Sequence, residues 1–484
     1  MTLSSASTDL AQRAFERTSG APLVGGNAVR ILLDGEENYP AWLAAIQSAQ
    51  RSIFFENFII EEDDVGTRFA EALAERARAG VKVWLIRDWL GSRGGASRRF
   101  WRTLEEAGVQ LRIFNPPRLG SPLGWISRDH RKLICVDGRV GFVTGLCVSQ
   151  RWLGDPARGI APWRDTGVEL RGPAIACLER AFQEVWDVTG APLAADALSD
   201  AAAMPDAGEV AVRVIAGRPN ASDLFRLDLL IASAAQRTLW LTDAYFVGFA
   251  PYVQALRDAA QAGVDVRLLV PSTTDLPLVS PLSRAGYRPL LDAGVRVFEW
   301  NGSMIHAKTA TTDGRWARVG SSNLNLASFI ANYELDLAIE DEAIAGRMDE
   351  IYLADLANST EIILRGHRVR PAERPPAVRR GSGRPAVGAV RFAQAVGAAA
   401  ASGTRTLGAV ETPIELALAA IFVGVAVVGF VWPAALAYPL AVVAVWLSAA
   451  VALRARRIGK QHKAERIAAR SRLRDGAPPP ASSG

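Results

Sequence analysis

The sequence predicts an α/β protein built by duplication, two α/β sandwich halves, followed by a C-terminal transmembrane helical hairpin. Three observations predict it. The same order of apolar strands and helical stretches occurs twice. Each copy carries one His-x-Lys-x-x-x-x-Asp motif at identical spacing. Two apolar runs near the C-terminus each approach the roughly 20 residues that cross a hydrocarbon core. A chain of 484 residues that is 49% hydrophobic has room for more than one core.

In the first half (1–190), an apolar strand at Ser52–Ile60 precedes a helical pattern over Arg68–Ala79. A strand in Gly80–Asp88, a second helical stretch and a strand in Ala107–Phe114 follow. The second half (210–364) repeats the series with Thr238–Phe246, Tyr252–Ala262, Gly263–Pro271 and Ala293–Trp300. Short β-rich runs alternating with helices of about 10–15 residues indicate largely parallel strands covered on both faces. Between the halves, residues 191–209 are rich in Ala, Asp and Pro and read as a linker. Residues 365–411 turn to Arg, Pro, Gly and Ala without a core-forming pattern, and read as a basic flexible linker. The hairpin spans 412–454, with apolar runs at Pro413–Val431 and Ala434–Leu453 and turn signals at Trp432, Pro433 and Pro439. A turn extending over Phe430–Pro439 would shorten the arms to a re-entrant hairpin. A basic tail, 455–484, closes the chain.

The net charge of +5 hides a division. From Arg365 onward there are 18 basic and 5 acidic residues, a local net of +13, which leaves the body with 37 basic against 45 acidic residues. An acidic body argues against duplex DNA as partner, because neutralising phosphates supplies most of the affinity of such complexes. Cys135, Cys147 and Cys177 lack metal-ligand spacing and read as reduced structural thiols. Residues 1–22 show no secretory signal, so the body is expected in the cytoplasm. Basic clusters flank the hairpin, eight residues from Arg368 to Arg405 and nine from Arg454 to Arg474, which places both ends in the cytoplasm by the positive-inside rule.

The motifs are His130-Arg131-Lys132 ending at Asp137, and His306-Ala307-Lys308 ending at Asp313. The chain has only four histidines, and two of them fall here. A His and a Lys two apart on a strand share a face, so imidazole and ammonium converge on one pocket. That pair suits phosphate: the ammonium is a compact charge for a non-bridging oxygen, and imidazole can attack phosphorus or protonate a leaving oxygen. Downstream of Asp313 stand Gly320, Ser321, Ser322 and Asn323, of which Ser321 and Asn323 are candidate phosphate donors, and then Glu334. At the matching places of the first half stand Thr144, Gly145, Leu146 and Cys147, and then Asp165. Asp165 and Glu334 are candidates to orient an imidazole, as the third member of a triad does.

These motifs, with Gly26-Asn27, Glu56, Asp88, Tyr245-Phe246 and Met304-Ile305 in the places where its members show similar residues, resemble the phospholipase D superfamily across roughly residues 25–360. Within it the chain resembles the bacterial cardiolipin synthases. The resemblance implies two phospholipase D-type halves sharing one pseudo-twofold active site that needs no metal or cofactor. It implies that one motif histidine forms a phosphohistidine while the other protonates the departing alcohol, with His130 favoured for attack. It implies further that Glu334 serves His130, that Asp165 serves His306, and that Asp137 and Asp313 brace the motif strands. The sequence departs from the family at Cys147, a poorer donor than a carboxamide, and in carrying its membrane segment after the catalytic body. The function expected is phosphatidyl transfer giving cardiolipin from phosphatidylglycerol, by an inner-membrane protein of two helices held also against anionic lipid. Its rivals are phospholipase D hydrolysis to phosphatidic acid, a nuclease, which charge and anchor disfavour, and an inactive scaffold, which two intact motif sets disfavour. The stretch Asn115–Ile126 leading to the first motif offers an acyl-chain surface or a packed loop.

Overall fold

The computed structural model describes residues 14–117, 127–275 and 283–364, together with 405–407, 438 and 445–446. The first half contributes β1 (Val24–Leu33), β2 (Ser52–Asn57), β3 (Lys82–Asp88), β4 (Gln110–Phe114), β5 (Leu133–Val136), β6 (Val140–Thr144) and β7 (Thr166–Arg171). The second contributes β8 (Val210–Gly217), β9 (Thr238–Thr242), β10 (Asp265–Pro271), β11 (Arg296–Trp300), β12 (Thr309–Thr312), β13 (Trp316–Gly320), β14 (Glu334–Glu340) and β15 (Ser359–Leu364), and β16 (Arg405–Leu407) lies beyond it. The order outward from the centre is β1-β7-β6-β5-β2-β3-β4 on one side and β8-β14-β13-β12-β9-β10-β11-β15-β16 on the other. The two series correspond strand for strand up to β4 and β11. They meet where β1 pairs antiparallel with β8.

The strands are not largely parallel, as the alternation of strands and helices had suggested. Each half is mixed: β2, β3 and β4 are parallel, as are β9, β10 and β11, while the motif strands β5 and β12 and their neighbours pair antiparallel. The reason is local. Asp137 and Gly138 both have positive φ, as do Asp313 and Gly314, and the turn closes by Arg139 N–H donating to Val136 (2.9 Å) and Arg315 N–H to Thr312 (3.0 Å). An Asp-Gly pair in this conformation makes a two-residue hairpin, which can only join antiparallel strands.

Helices are started by side-chain caps at Asp63, Ser97 and Asp341, whose oxygens accept from Gly66 N (2.9 Å), Phe100 N (3.1 Å) and Ile344 N (2.8 Å). The period-two pattern of the strands divides the core. Ile53 and Phe55 face outward onto the helices, with Trp42, Phe69 and Trp101, whereas Phe54 faces inward. That inner core is common to both halves: Leu133, Val143 and Leu170 pack with Val214, Val319 and Leu337. Phe54 is fully buried, stacked on Trp84 with ring centroids 4.9 Å apart and in contact with Phe182. Phe54→Ala is expected to destabilise the body by about 3–5 kcal/mol in denaturant unfolding, the range for emptying a buried aromatic site.

Residues 191–209 contain two short 3-10 turns, Ala195–Ala197 and Ala201–Ala203. Among the described residues no helix is long and apolar enough to cross a membrane. The apolar runs 413–431 and 434–453 lie outside the described residues, apart from Tyr438, Val445 and Trp446, and so does 118–126 of the stretch before the first motif.

Candidate active site

Both motifs come to their strands along extended backbone held by the opposite half. His130 N–H donates to the carbonyl of Tyr333 (2.9 Å), and His306 N–H to that of Arg164 (2.7 Å). Tyr333 and Arg164 are the residues just before Glu334 and Asp165, so these bridges bring each carboxylate to the other half's histidine. Glu334 Oε2 lies 2.9 Å from His130 Nδ1, and Asp165 Oδ2 lies 2.8 Å from His306 Nδ1. The motif His and Lys stand just ahead of β5 and β12 rather than within them, a small correction to the strand placement. Their convergence is kept: Lys132 Nζ donates to the His130 carbonyl at 2.6 Å, and Lys308 Nζ is 3.0 Å from His306 Nδ1 and also donates to the His306 carbonyl. One ring nitrogen cannot serve both neighbours, and the Asp165 carboxylate takes its N–H.

All six groups are buried. Burial lowers the pKa of both histidines, with Lys308 adding to the effect at His306, which falls to about 4. Burial brings Lys308 down to about 8. Burial alone would raise Glu334 and Asp165, yet the imidazole beside each and the lysines hold both below their ordinary values. The resting site therefore sets two neutral imidazoles and two carboxylates beside the two motif lysines, with Nδ1–H turned to the carboxylate and Nε2 left free.

Glu334 is fixed from several sides. Ser321 Oγ–H donates to Oε2 (2.6 Å), Ser328 Oγ–H to Oε1 (2.7 Å) and Asn332 Nδ2 to Oε1 (3.3 Å). Ser321 also accepts from Leu335 N (2.9 Å). Its hydroxyl proton is thus directed to the carboxylate, where it helps to hold Glu334. Asn323 is only 5% exposed, and its amide oxygen has no partner among the described residues, so the carboxamide is not committed to the protein. Cys147, at the matching place, is buried in the field of Lys132 and Lys308; burial raises its thiol pKa and keeps it neutral.

Asp137 accepts from Gln50 N, Arg51 N and Ser52 N (2.7–2.8 Å), and Asp313 from Gln236 N, Arg237 N and Thr238 N (2.7–2.9 Å). Both carboxylates lie at the far ends of β5 and β12, tying the hairpin turn to the start of β2 or β9.

Several site residues were not found from the sequence. Trp152 Nε1–H donates to Asp165 Oδ2 at 2.8 Å, as Ser328 does to Glu334. Each lies five residues after Cys147 or Asn323, so a residue-by-residue overlay of the two halves contained the signal. The rings around the histidines carried none: Trp152, Trp163 and Tyr245 lie 5.3–5.7 Å from His306, whereas His130 has Phe58 at 4.9 Å.

A family profile described as "Cardiolipin synthase, PLD-like domain" matches residues 42–155 and 229–356, one match in each half. A protein named cardiolipin synthase A from Pseudomonas aeruginosa is 36% identical over 361 residues, covering 72% of this chain and 71% of the relative. Another of that name from Pseudomonas fluorescens is 33% identical over 357 residues, covering 72% and 73%. The fold is similar to that of the crystal structure of a phosphatidylserine synthase from Haemophilus influenzae, with a TM-score of 0.55 at 13% identity over 72% of this chain and 91% of that one.

Proposed function

The chain belongs to the cardiolipin synthase, PLD-like domain family, and from that membership we propose a phosphatidyltransferase that makes cardiolipin from phosphatidylglycerol. The observation that carries the proposal is the reciprocal pairing of each motif histidine with the other half's carboxylate at 2.8–2.9 Å. It leaves two Nε2 atoms free for two different tasks in one site.

His130 Nε2 attacks phosphorus, the bond from phosphorus to the glycerol oxygen breaks, and His306 Nε2–H gives its proton to that oxygen. The terminal hydroxyl of a second phosphatidylglycerol then loses its proton to His306 and attacks phosphorus, breaking the P–N bond and freeing His130. The anionic phosphodiester raises the depressed histidine pKa values on binding, which is how His306 comes to hold a proton that it lacks at rest. Lys132, Lys308 and Asn323 take the non-bridging oxygens. Incubating the purified protein with labelled phosphatidylglycerol should yield cardiolipin and free glycerol. Phosphatidic acid as sole product would establish hydrolysis instead.

The activity should have a bell-shaped pH dependence in kcat/KM. The nucleophile His130 must be neutral, so activity falls as pH drops through its value, which burial sets below that of an ordinary histidine. The phosphate clamp must be cationic, so activity falls again as pH rises through about 8, where Lys308 loses its proton. Lys308→Arg should move the alkaline limb upward, read from the same profile.

We propose the following organisation: catalytic halves at 1–190 and 210–364 joined by 191–209, a basic segment 365–411, a membrane hairpin 412–454 and a basic tail 455–484. Hydrophobic runs flanked by arginine support an inner-membrane anchor of two helices with the body and both flanks on the cytoplasmic side. Deleting everything after Val410 should release most of the protein from membranes in fractionation. Labelling of an introduced cysteine after Arg474 from the outer side would contradict the topology.

A further inference from the structure

The duplication supplies an internal comparison. In the second half Arg213, on β8, is 1% exposed. It donates to the Ala21 carbonyl (2.9 Å), pairs with Glu340 (3.1 Å) and lies under the Phe15 ring at 5.9 Å. Arg226, on the helix Asp223–Ala234, donates to the Thr18 carbonyl at 3.3 Å. The chain's own segment 15–21 therefore covers the groove between that helix and β8.

Among the described residues no segment covers the same groove in the first half. Arg30 faces Glu169 across β1 and β7 as Arg213 faces Ala338 across β8 and β14, four residues beyond Asp165 and Glu334 respectively. On the helix Asp34–Ser48, Trp42, Leu43 and Ile46 are buried as Leu227, Asp228 and Ile231 are, which sets Ala41, Ala44 and Ala45 in the places of Arg226, Leu229 and Leu230. Three alanines thus stand where the second half has long side chains. The result is a pocket of 410 Å³ floored by Ala41, Ala44, Ala45 and Phe142 and rimmed by Arg30, Arg139 and Arg171. Glu169 is shared between Arg30 and Arg171, and the Asp137 carboxylate at the edge is taken up by three backbone N–H groups. Arg139 is exposed and has no ion-pair partner among the described residues.

We propose that this groove is a non-catalytic binding site for an anionic phospholipid. The phosphodiester sits among Arg139, Arg171 and Arg30, and the first methylenes of an acyl chain lie on the alanines. Arginines alone would suit any phosphate ester; the apolar floor beneath them suits one that carries hydrocarbon, since burying that surface is favourable. Val136 and Asp137, which line the pocket, are at the opposite end of the motif strand from His130, so the site is separate from the catalytic one.

The test uses the full chain in detergent, carrying His130→Ala so that no turnover occurs. A Ser48→Cys change provides attachment for an environment-sensitive fluorophore at the pocket edge, with Cys177→Ser to limit labelling elsewhere. Titration with monomeric dihexanoyl phosphatidylglycerol should give a saturable blue shift, weakened about tenfold by Arg139→Ala or by Ala44→Leu, which restores the second half's leucine. Glycerol phosphate should give none. The proposal fails if phosphatidylglycerol produces no saturable shift, if both substitutions leave it unchanged, or if glycerol phosphate matches it. A shift that follows protein concentration without lipid would assign the groove to another copy of the chain and also overturn the proposal. Reporter and substitutions lie outside the catalytic centre, so failure here leaves phosphatidyl transfer standing, and absence of cardiolipin synthesis leaves the groove standing.

Discussion

Replacing His130 by alanine is expected to lower phosphatidyl transfer by about ten-thousand-fold or more and to abolish covalent labelling of the protein, the scale seen when a nucleophile is removed from a coupled catalytic set. The size follows from what remains. Without Nε2 of His130, direct attack by the acceptor hydroxyl must displace glycerol in one step, and no base on that side of phosphorus helps it. His306→Ala should behave differently. It removes the proton donor, so natural substrate is turned over slowly, but a phosphodiester with a p-nitrophenyl leaving group needs no proton and should still label His130. Steady-state rates with both substrates check the pair. Equal loss on both substrates for both variants would contradict the division of roles.

Glu334→Gln is expected to cost about a hundred- to ten-thousand-fold in kcat with little change in KM, by analogy with amide replacement of a triad carboxylate. The carboxamide keeps the volume but reverses the hydrogen-bond logic. Glu334 Oε2 now takes the N–H of His130 Nδ1 and the Ser321 hydroxyl, and Oε1 takes Ser328 and Asn332. An amide NH2 in either place meets donors, and the imidazole can answer only by moving its proton to Nε2, the atom that must attack. Asp165→Asn should act likewise on His306, with a smaller loss on the p-nitrophenyl substrate than on lipid. A structural role alone would lower both substrates together and shift the unfolding midpoint.

The duplication was open to inspection in the sequence because it is written in short local patterns: an Ala-Gly-Val turn before a strand, and His, Lys and Asp at fixed spacing. The two carboxylates were legible for the same reason, each falling after its motif at a matching place. What could not be read is contact between elements distant in the chain. Nothing near His130 indicates that its backbone pairs with Tyr333, about two hundred positions on, and that bridge is what delivers Glu334. Ser321 looked free for phosphate because its hydroxyl is small and polar, whereas folding places it against a carboxylate that needs donors. The antiparallel motif ladder was written locally, in Asp137-Gly138 and Asp313-Gly314, but the helix-strand alternation around it suggested parallel pairing more strongly.

The most direct measurement is rapid alkaline quench of the wild-type protein during turnover of acyl-labelled phosphatidylglycerol, followed by peptide mapping under conditions that preserve phosphohistidine. One shared site with divided roles predicts lipid label on the peptide carrying His130, approaching one per chain, that is chased into cardiolipin by unlabelled phosphatidylglycerol. Label on the His306 peptide, label on both peptides in one chain, or cardiolipin formed with no labelled intermediate at any quench time would contradict it.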